Sequence, residues 1–157
     1  MSPCGTYRYR LERDVSLDGL VFAYFGVNGS TATATEDDHT VTKWIGFTKL
    51  NQGRRFIVGN AFGYRATDVG ELARALDPIG PNNDTHLDQI MRDADILVPC
   101  WGSRSKLPRR LHGRLDALRD RLDACGKPVK VWGLSKSGDP LHPLMLAYAT
   151  PLISWNR

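Results

Sequence analysis

Apolar runs alternate along this chain with stretches of helical spacing. Leu20 to Val27 is a continuous apolar run, the pattern of a strand buried on both faces of a sheet. Arg55 to Phe62 is a second such strand, Ile96 to Gly102 a third strand with its turn, and Val129 to Leu134 a fourth. Between them, Val41, Trp44, Ile45 and Phe47 fall near helical spacing over Asp38–Leu50, with Asp37 or Asp38 as cap and Gly53 behind. Helical pattern resumes through Leu72 and Leu76 and is broken by Pro78, Gly80 and Pro81. Asn83 or Asp84 starts a helix through Leu87, Ile90 and Met91, and Leu111, Leu115, Leu118 and Leu122 mark another from Pro108 to Ala124. Thr6 to Leu11 alternates and reads as an exposed strand, while the tail after Leu134 reads mostly as loop. Strands alternating with helices specify a parallel sheet covered on both faces. The expected architecture is one α/β domain over residues 1–157: a three-layer α/β/α sandwich on a mainly parallel four-stranded sheet, with a possible N-terminal edge strand.

Open parallel sheets bind ligands beyond the carboxyl ends of their strands. Four segments meet that condition: Asn28 to Thr31, Gly63 to Arg65, Trp101 to Arg104, and Ser135 to His142. Familiar motifs are missing from them. There is no G-x-G-x-x-G after the first strand and no G-x-x-x-x-G-K-[ST]. Gly133-Leu134-Ser135-Lys136-Ser137-Gly138 has the wrong spacing for a nucleophile elbow. His39, His86, His112 and His142 show no i, i+4 pairing, so neither a metal nor another cofactor is expected.

Several of these residues carry a plain structural reading beside a functional one. Asn28 suits a left-handed turn before Gly29, and Asp37 and Asp38 suit a helix start. Asn60 lies inside an apolar strand, where its amide must bond backbone or ligand. Tyr64 beside Arg65 is an ordinary surface pair or a ring and guanidinium suited to a base and a phosphate. Trp101 reads as core or as a stacking platform, and His142 lies in a loop on the expected rim. Arg104, Lys106, Arg109 and Arg110 open a basic segment that is either a solvated face or a surface for nucleic-acid backbone.

Composition changes this picture only at the margins. The chain has 157 residues, a net charge of +4, 41% hydrophobic and 24% charged residues. That is enough for a core without staples, and the modest basic balance favours an anionic partner. Three scattered cysteines, Cys4, Cys100 and Cys125, fit neither a disulfide nor a zinc framework. With no signal-like N-terminus and no membrane-length apolar run, a cytoplasmic protein with no membrane partner is expected.

The ordered blocks G-V-N-G-S-T-A, D-D-H-T-V, N-A-F-G-Y-R-A-T-D, D-P-I-G-P-N-N-D, W-G and G-L-S-K-S-G-D-P-L-H-P-L closely resemble the bacterial and phage family called domain of unknown function 1643. The likeness runs from about Arg8 to Trp155. More distantly, the order of loops resembles the uracil-DNA glycosylase superfamily, the mismatch-specific branch above all: G-x-N after one strand, Asn60 to Arg65 (N-x-x-x-x-R) after the next, then W-G, then H-P. This second resemblance implies a base-binding fold in which Asn28, Asp38 and His142 are catalytic. Asn28 would orient the attacking water, Asp38 would face the sugar, and His142 would stabilise the departing base or contact phosphate. Gly26, Ser30, Thr31, Asn60, Tyr64, Arg65, Asn83, Trp101, Gly102 and Lys136 would bind substrate. Two positions depart from the superfamily pattern, which has proline where Gly29 and His39 stand. The tail after His142-Pro143 also lacks a long intercalating loop.

The implied function is hydrolysis of an N-glycosidic bond to a modified or mismatched base, in DNA or a nucleotide. Two alternatives share the same residues. One is a nucleobase- or nucleic-acid-binding module without turnover. The other is a transferase or processing enzyme of phage-type DNA base hypermodification.

Overall fold

In a computed structural model of the chain, residues 5–28, 38–66 and 69–155 are described. The central sheet has four strands: β1 (Leu11–Asp14), β2 (Leu20–Asn28), β3 (Gly53–Phe62) and β4 (Ile96–Pro99). Their order is β1-β3-β2-β4. β2 pairs in parallel with both β3 and β4, and β1 runs antiparallel along the outer side of β3. The mixed α/β architecture with a mainly parallel sheet is therefore the one expected from alternating strands and helices.

Strand alternation divides the core in two. Phe22 and Tyr24 of β2, with Phe56 and Val58 of β3, point towards α1 (His39–Leu50), which buries Val41, Trp44 and Phe47 against them. Val21, Ala23 and Phe25 face the other way. There they meet α2 (Val69–Arg74), α3 (Asn83–Asp93) and α4 (His112–Ala124) through Leu72, Leu87, Ile90, Leu115, Leu118 and Leu122. The period of two in the strands and of 3.6 in the helices thus builds the three layers. Tyr24 is fully buried, and its hydroxyl is satisfied by the Thr48 hydroxyl of α1 at 2.7 Å.

Four boundaries differ from expectation, each for a local reason. The N-terminal strand lies later, because Leu11 to Asp14 align with Val58 to Arg55, while Tyr7 makes only an isolated bridge to Tyr64. Gly53 does not cap α1. Gln52 takes the left-handed turn (φ 62°), and Gly53 begins β3 where a Cβ would lie 2.9 Å from the Phe22 ring. The helix through Leu72 stops at Arg74, and Leu76 is exposed.

The expected fourth parallel strand shrinks to β5 (Lys130–Val131). It touches β4 through one bridge, Leu97 to Val129, and pairs instead with β6 (Ile153–Ser154). Pro128 precedes it and offers a carbonyl to Leu97 N–H but no amide hydrogen in return, which limits the ladder on that side. β6 itself was hidden in a segment that reads as loop. Among the described residues, no helix is long and apolar enough to cross a membrane.

Candidate functional site

At the carboxyl ends of β2 and β3, on the α1 side of the sheet, lies a cavity of about 160 Å³. Its lining includes Gly26, Asn28, Asp38, Asn60, Trp101 and His142, together with Thr40, Trp44 and Val58. Three of the four expected loops contribute, which is the convergence a parallel sheet favours.

Gly26 and Asn60 form the floor, as register partners on β2 and β3. A Cβ on Gly26 would stand 2.8 Å from Asn60 Oδ1, so the missing side chain makes room for the buried amide. Asn60 is 4% exposed. Gly26→Ala is expected to push the Asn60 amide out of place and abolish ligand binding. Thermal unfolding should change far less than binding, because the displaced group borders a cavity rather than a packed core. Calorimetry on the variant with a base analogue would check this.

Asn28 ends β2 and donates from Nδ2 to the carbonyl of Ala66 at 2.8 Å. A carbonyl partner fixes which end of the amide faces it, so Oδ1 is the acceptor end. Asp38 is the N-cap of α1, accepting the Val41 N–H at 2.9 Å. Asp38 therefore caps a helix and lines the cavity at once.

His142 precedes the short turn Pro143–Met145. Its Nδ1 accepts the Leu144 N–H at 3.2 Å, so a neutral ring carries its proton on Nε2. The ring is open to solvent along one side and crowded by protein elsewhere. Burial lowers its pKa, Lys106 lowers it further, and Asp38 opposes both. The sign follows directly. The unfolded chain takes up a proton near the ordinary histidine value of about 6.5, before the folded chain does. Stability and any function of neutral His142 should be full above that value and fall as the pH drops through the lower folded pKa. Ligand affinity and thermal midpoint measured from pH 8 to 5 would show both falling; His142→Gln should flatten the affinity curve and remove part of the fall in midpoint, with His86, whose pKa burial also lowers, supplying the rest.

Trp101 reaches the cavity from the loop after β4, and its indole Nε1 donates to Asp139 Oδ1 at 3.3 Å. Gly102 follows with φ 79°, a left-handed angle that returns the chain close to His142. Asp139, 1% exposed, was not singled out by the sequence reading. It accepts from the Arg104 backbone N–H at 2.8 Å, from Arg104 Nε at 3.2 Å and from the Ser137 hydroxyl at 2.7 Å. Burial alone would raise its pKa, but these donors outweigh burial and hold it below the usual carboxylate value. Asp139 thereby ties the loop carrying Trp101 to the loop carrying His142.

Other expected site residues lie elsewhere. Asn83 is wholly buried behind β3 and donates to the carbonyls of Asn60 and Ala61 at 2.9 and 3.3 Å, a structural use of its amide. Tyr64 packs edge-to-face on Tyr7, and Lys136 is exposed on the Ser135–Gly138 turn. Arg65 sits beside Ala66, next to the anchor of Asn28 but outside the cavity lining. Ser30 and Thr31, with Gly29, lie outside the described residues.

The basic segment is largely spent on internal partners. Arg104 pairs with Asp116 and Asp139, Arg110 donates to the Ala73 carbonyl, and Arg114 and Arg121 bridge to Asp84 on α3. Lys106 and Arg109 are exposed, and Lys106 is near enough to His142 to affect its charge. Among the described residues, no three His, Cys, Asp or Glu side chains converge.

A wider, more open depression of about 380 Å³ lies between α3 and α4, lined by Asp88, Arg121 and Lys127 among others. Most of its charges are already committed, exposed Arg92 excepted. Arg121 pairs with Asp88, and Lys127 donates to the carbonyls of Met91, Arg92 and Ala94 at the end of α3. The smaller cavity is where strand ends, an amide, a carboxylate and an imidazole meet.

No curated protein and no solved structure matches the chain. A family model described as Protein of unknown function (DUF1643) matches residues 8–144, which include every lining residue of the small cavity. The chain belongs to that family.

Proposed function

We propose that the protein is a nucleobase-recognising N-glycosidase, hydrolysing the bond between a modified or mismatched base and its sugar in DNA or a nucleotide. One observation carries this reading. A single cavity of about 160 Å³ at the strand ends is lined by Asn28, Asp38, Asn60, Trp101 and His142. At about 30 Å³ per water, that is the room of roughly five waters, a scale suited to one planar ring system rather than a whole nucleoside.

The Asn60 amide offers a donor and an acceptor side by side, which suits the polar edge of a base, and the Trp101 indole offers an apolar wall. As the C1′–N bond breaks, the bonding pair leaves on the base and positive charge grows on the sugar. Asp38 opposes that positive charge, and His142 Nε2–H supports the negative charge on the base. Asn28 Oδ1 accepts from the attacking water, whose oxygen bonds to C1′. The water's proton passes to Asp38 or to solvent, and the departing base takes up a proton. Met145, 91% exposed, and Leu144 stand directly after His142 and Pro143, so a short turn offers the apolar contact expected of a longer loop.

The test is direct. Oligonucleotides carrying uracil, hypoxanthine and hydroxymethylated pyrimidines are incubated with the protein and scored for abasic sites. Release of one base, lost with Asn28→Ala, is the expected result; no abasic product across the panel overturns the reading.

A binding module without turnover is favoured by one feature: Asp38 already serves α1 through Oδ1. Tight, salt-sensitive binding with no product would select that reading. A transferase acting on the same base would be marked instead by a modified nucleoside in the digest.

A further inference from the structure

Arg8 is 5% exposed, and its Nη2 is buried with no hydrogen-bond partner among the described residues. A guanidinium held in this way is costly, since desolvated charge needs an opposite charge or a full set of acceptors. The backbone explains how it is held. Arg8 N–H bonds to Gly63 O at 2.8 Å and Arg65 N–H bonds to Thr6 O at 2.9 Å, on either side of the Tyr7–Tyr64 bridge. This antiparallel pairing makes Arg8 and Arg65 diagonal neighbours, within reach of one another for long side chains.

Among the described residues, the charges that act on Arg8 are two of its own sign and one opposite. Its pKa is lowered by burial, then by Arg65 and Arg13, and among the described residues Asp38 pulls the other way. Asp38 lines the cavity, and Ala66, next to Arg65, is the residue that anchors Asn28. Neither arginine lines the cavity, but Arg8 acts on Asp38 in its wall and Arg65 adjoins the residue that anchors Asn28.

We propose that Arg8 and Arg65 form a phosphate site that holds the phosphate adjoining the nucleoside whose base enters the cavity. This rests on the cavity being a base pocket. Arg–phosphate pairing is bidentate and charge-assisted, and a phosphate would supply the acceptor that Arg8 Nη2 lacks among the described residues. The base, the sugar and its phosphate would then span the Asn60 floor, the Asn28–Asp38 edge and the arginine pair in order. The phosphate belongs either to a nucleoside monophosphate or to a polynucleotide backbone.

Thermal unfolding with added ligand reads this site without any base release. The probes are inorganic phosphate, a nucleoside monophosphate, the same nucleoside without phosphate, and a short single-stranded oligonucleotide. The wild-type midpoint should rise with at least one phosphate-bearing probe. The apparent affinity for that probe should fall about tenfold or more in Arg8→Met and in Arg65→Met, the loss of a charge-assisted bond. Without phosphate, Arg8→Met should unfold at the same or a higher temperature, because a buried charge with an unpartnered Nη2 has been removed. A response to the monophosphate assigns the site to nucleotides, and a response to the oligonucleotide alone assigns it to a polynucleotide backbone. No rise with any phosphate probe, or a rise unchanged in both variants, overturns the proposal. A phosphate response that survives when Asn60→Leu abolishes nucleoside binding keeps the arginine site separate from the base pocket.

Discussion

Asn28→Ala is expected to lower the rate of base release by about 10²–10³-fold, the scale of losing one group that positions a reactant. The loss should appear in kcat rather than KM if, as proposed, Asn28 holds the water and not the base. The side chain is half-exposed at the end of β2, and its Nδ2 bond to Ala66 at 2.8 Å is the structural part of its work. Losing that bond costs about 1 kcal/mol, so the variant should remain folded at assay temperature. Asn28→Asp is the sharper probe. A carboxylate facing the Ala66 carbonyl cannot donate, so the acceptor end turns away from its present direction while the shape is kept. Both variants should bind a free base as the wild type does. A variant that loses binding and turnover together would make Asn28 a contact to the base, and unchanged turnover would remove it from the mechanism.

Asp139→Ala should be the most destabilising single change near the cavity, by about 2–4 kcal/mol, the sum of several charge-assisted bonds at one buried group. For a chain of this size, that corresponds to a midpoint drop of about 5–15 °C. Asp139→Asn should be nearly as harmful. The neighbours of the carboxylate are all donors: Arg104 N–H and Nε–H, the Trp101 indole and the Ser137 hydroxyl. An amide answers them with one acceptor oxygen and turns its own N–H₂ towards the rest.

The pH dependence has a definite sign. The folded pKa of Asp139 is depressed, so its contribution is complete above the unfolded value of about 3.9 and is lost as the pH falls through the folded value. Denaturant midpoints of wild type and Asp139→Ala should therefore converge in strong acid. If they stay parallel down to pH 2, the carboxylate is not what holds the loops. Arg104 retains Asp116 in these variants, so any change in turnover would report the freed Trp101 and His142 loops.

What the sequence made legible was governed by local pattern. β2, β3 and β4 are uninterrupted apolar runs, and α1, α3 and α4 carry buried residues at helical spacing, so both could be read from neighbours in the chain. Strand ends then pointed to Asn28, Asn60 and Trp101, all of which line one cavity with His142. What stayed hidden depends on long-range contacts. Arg104 looks like a phosphate ligand until Asp139, 35 residues on, is seen to hold it. Asn83 looks like a rim residue until its amide is found on the β3 carbonyls. Trp44 and Thr40 sit on a helix whose spacing announces only core, although its first turns wall the cavity. Arg8 falls in an alternating stretch that reads as exposed, yet it is buried by pairing with a distant loop.

The position of Asp38 has a consequence for how freely this site can vary. A helix start needs a side-chain oxygen, and Asn, Ser and Asp serve almost equally well, with Thr close behind. The fold therefore tolerates several residues at position 38, whereas the proposed charge stabilisation beside the sugar would narrow the choice to aspartate. Asp38→Asn and Asp38→Ser keep α1 and discard only the charge. Among chains of this fold, the residue at the first cap of α1 is thus a marker that separates those equipped for charge stabilisation from those that only bind.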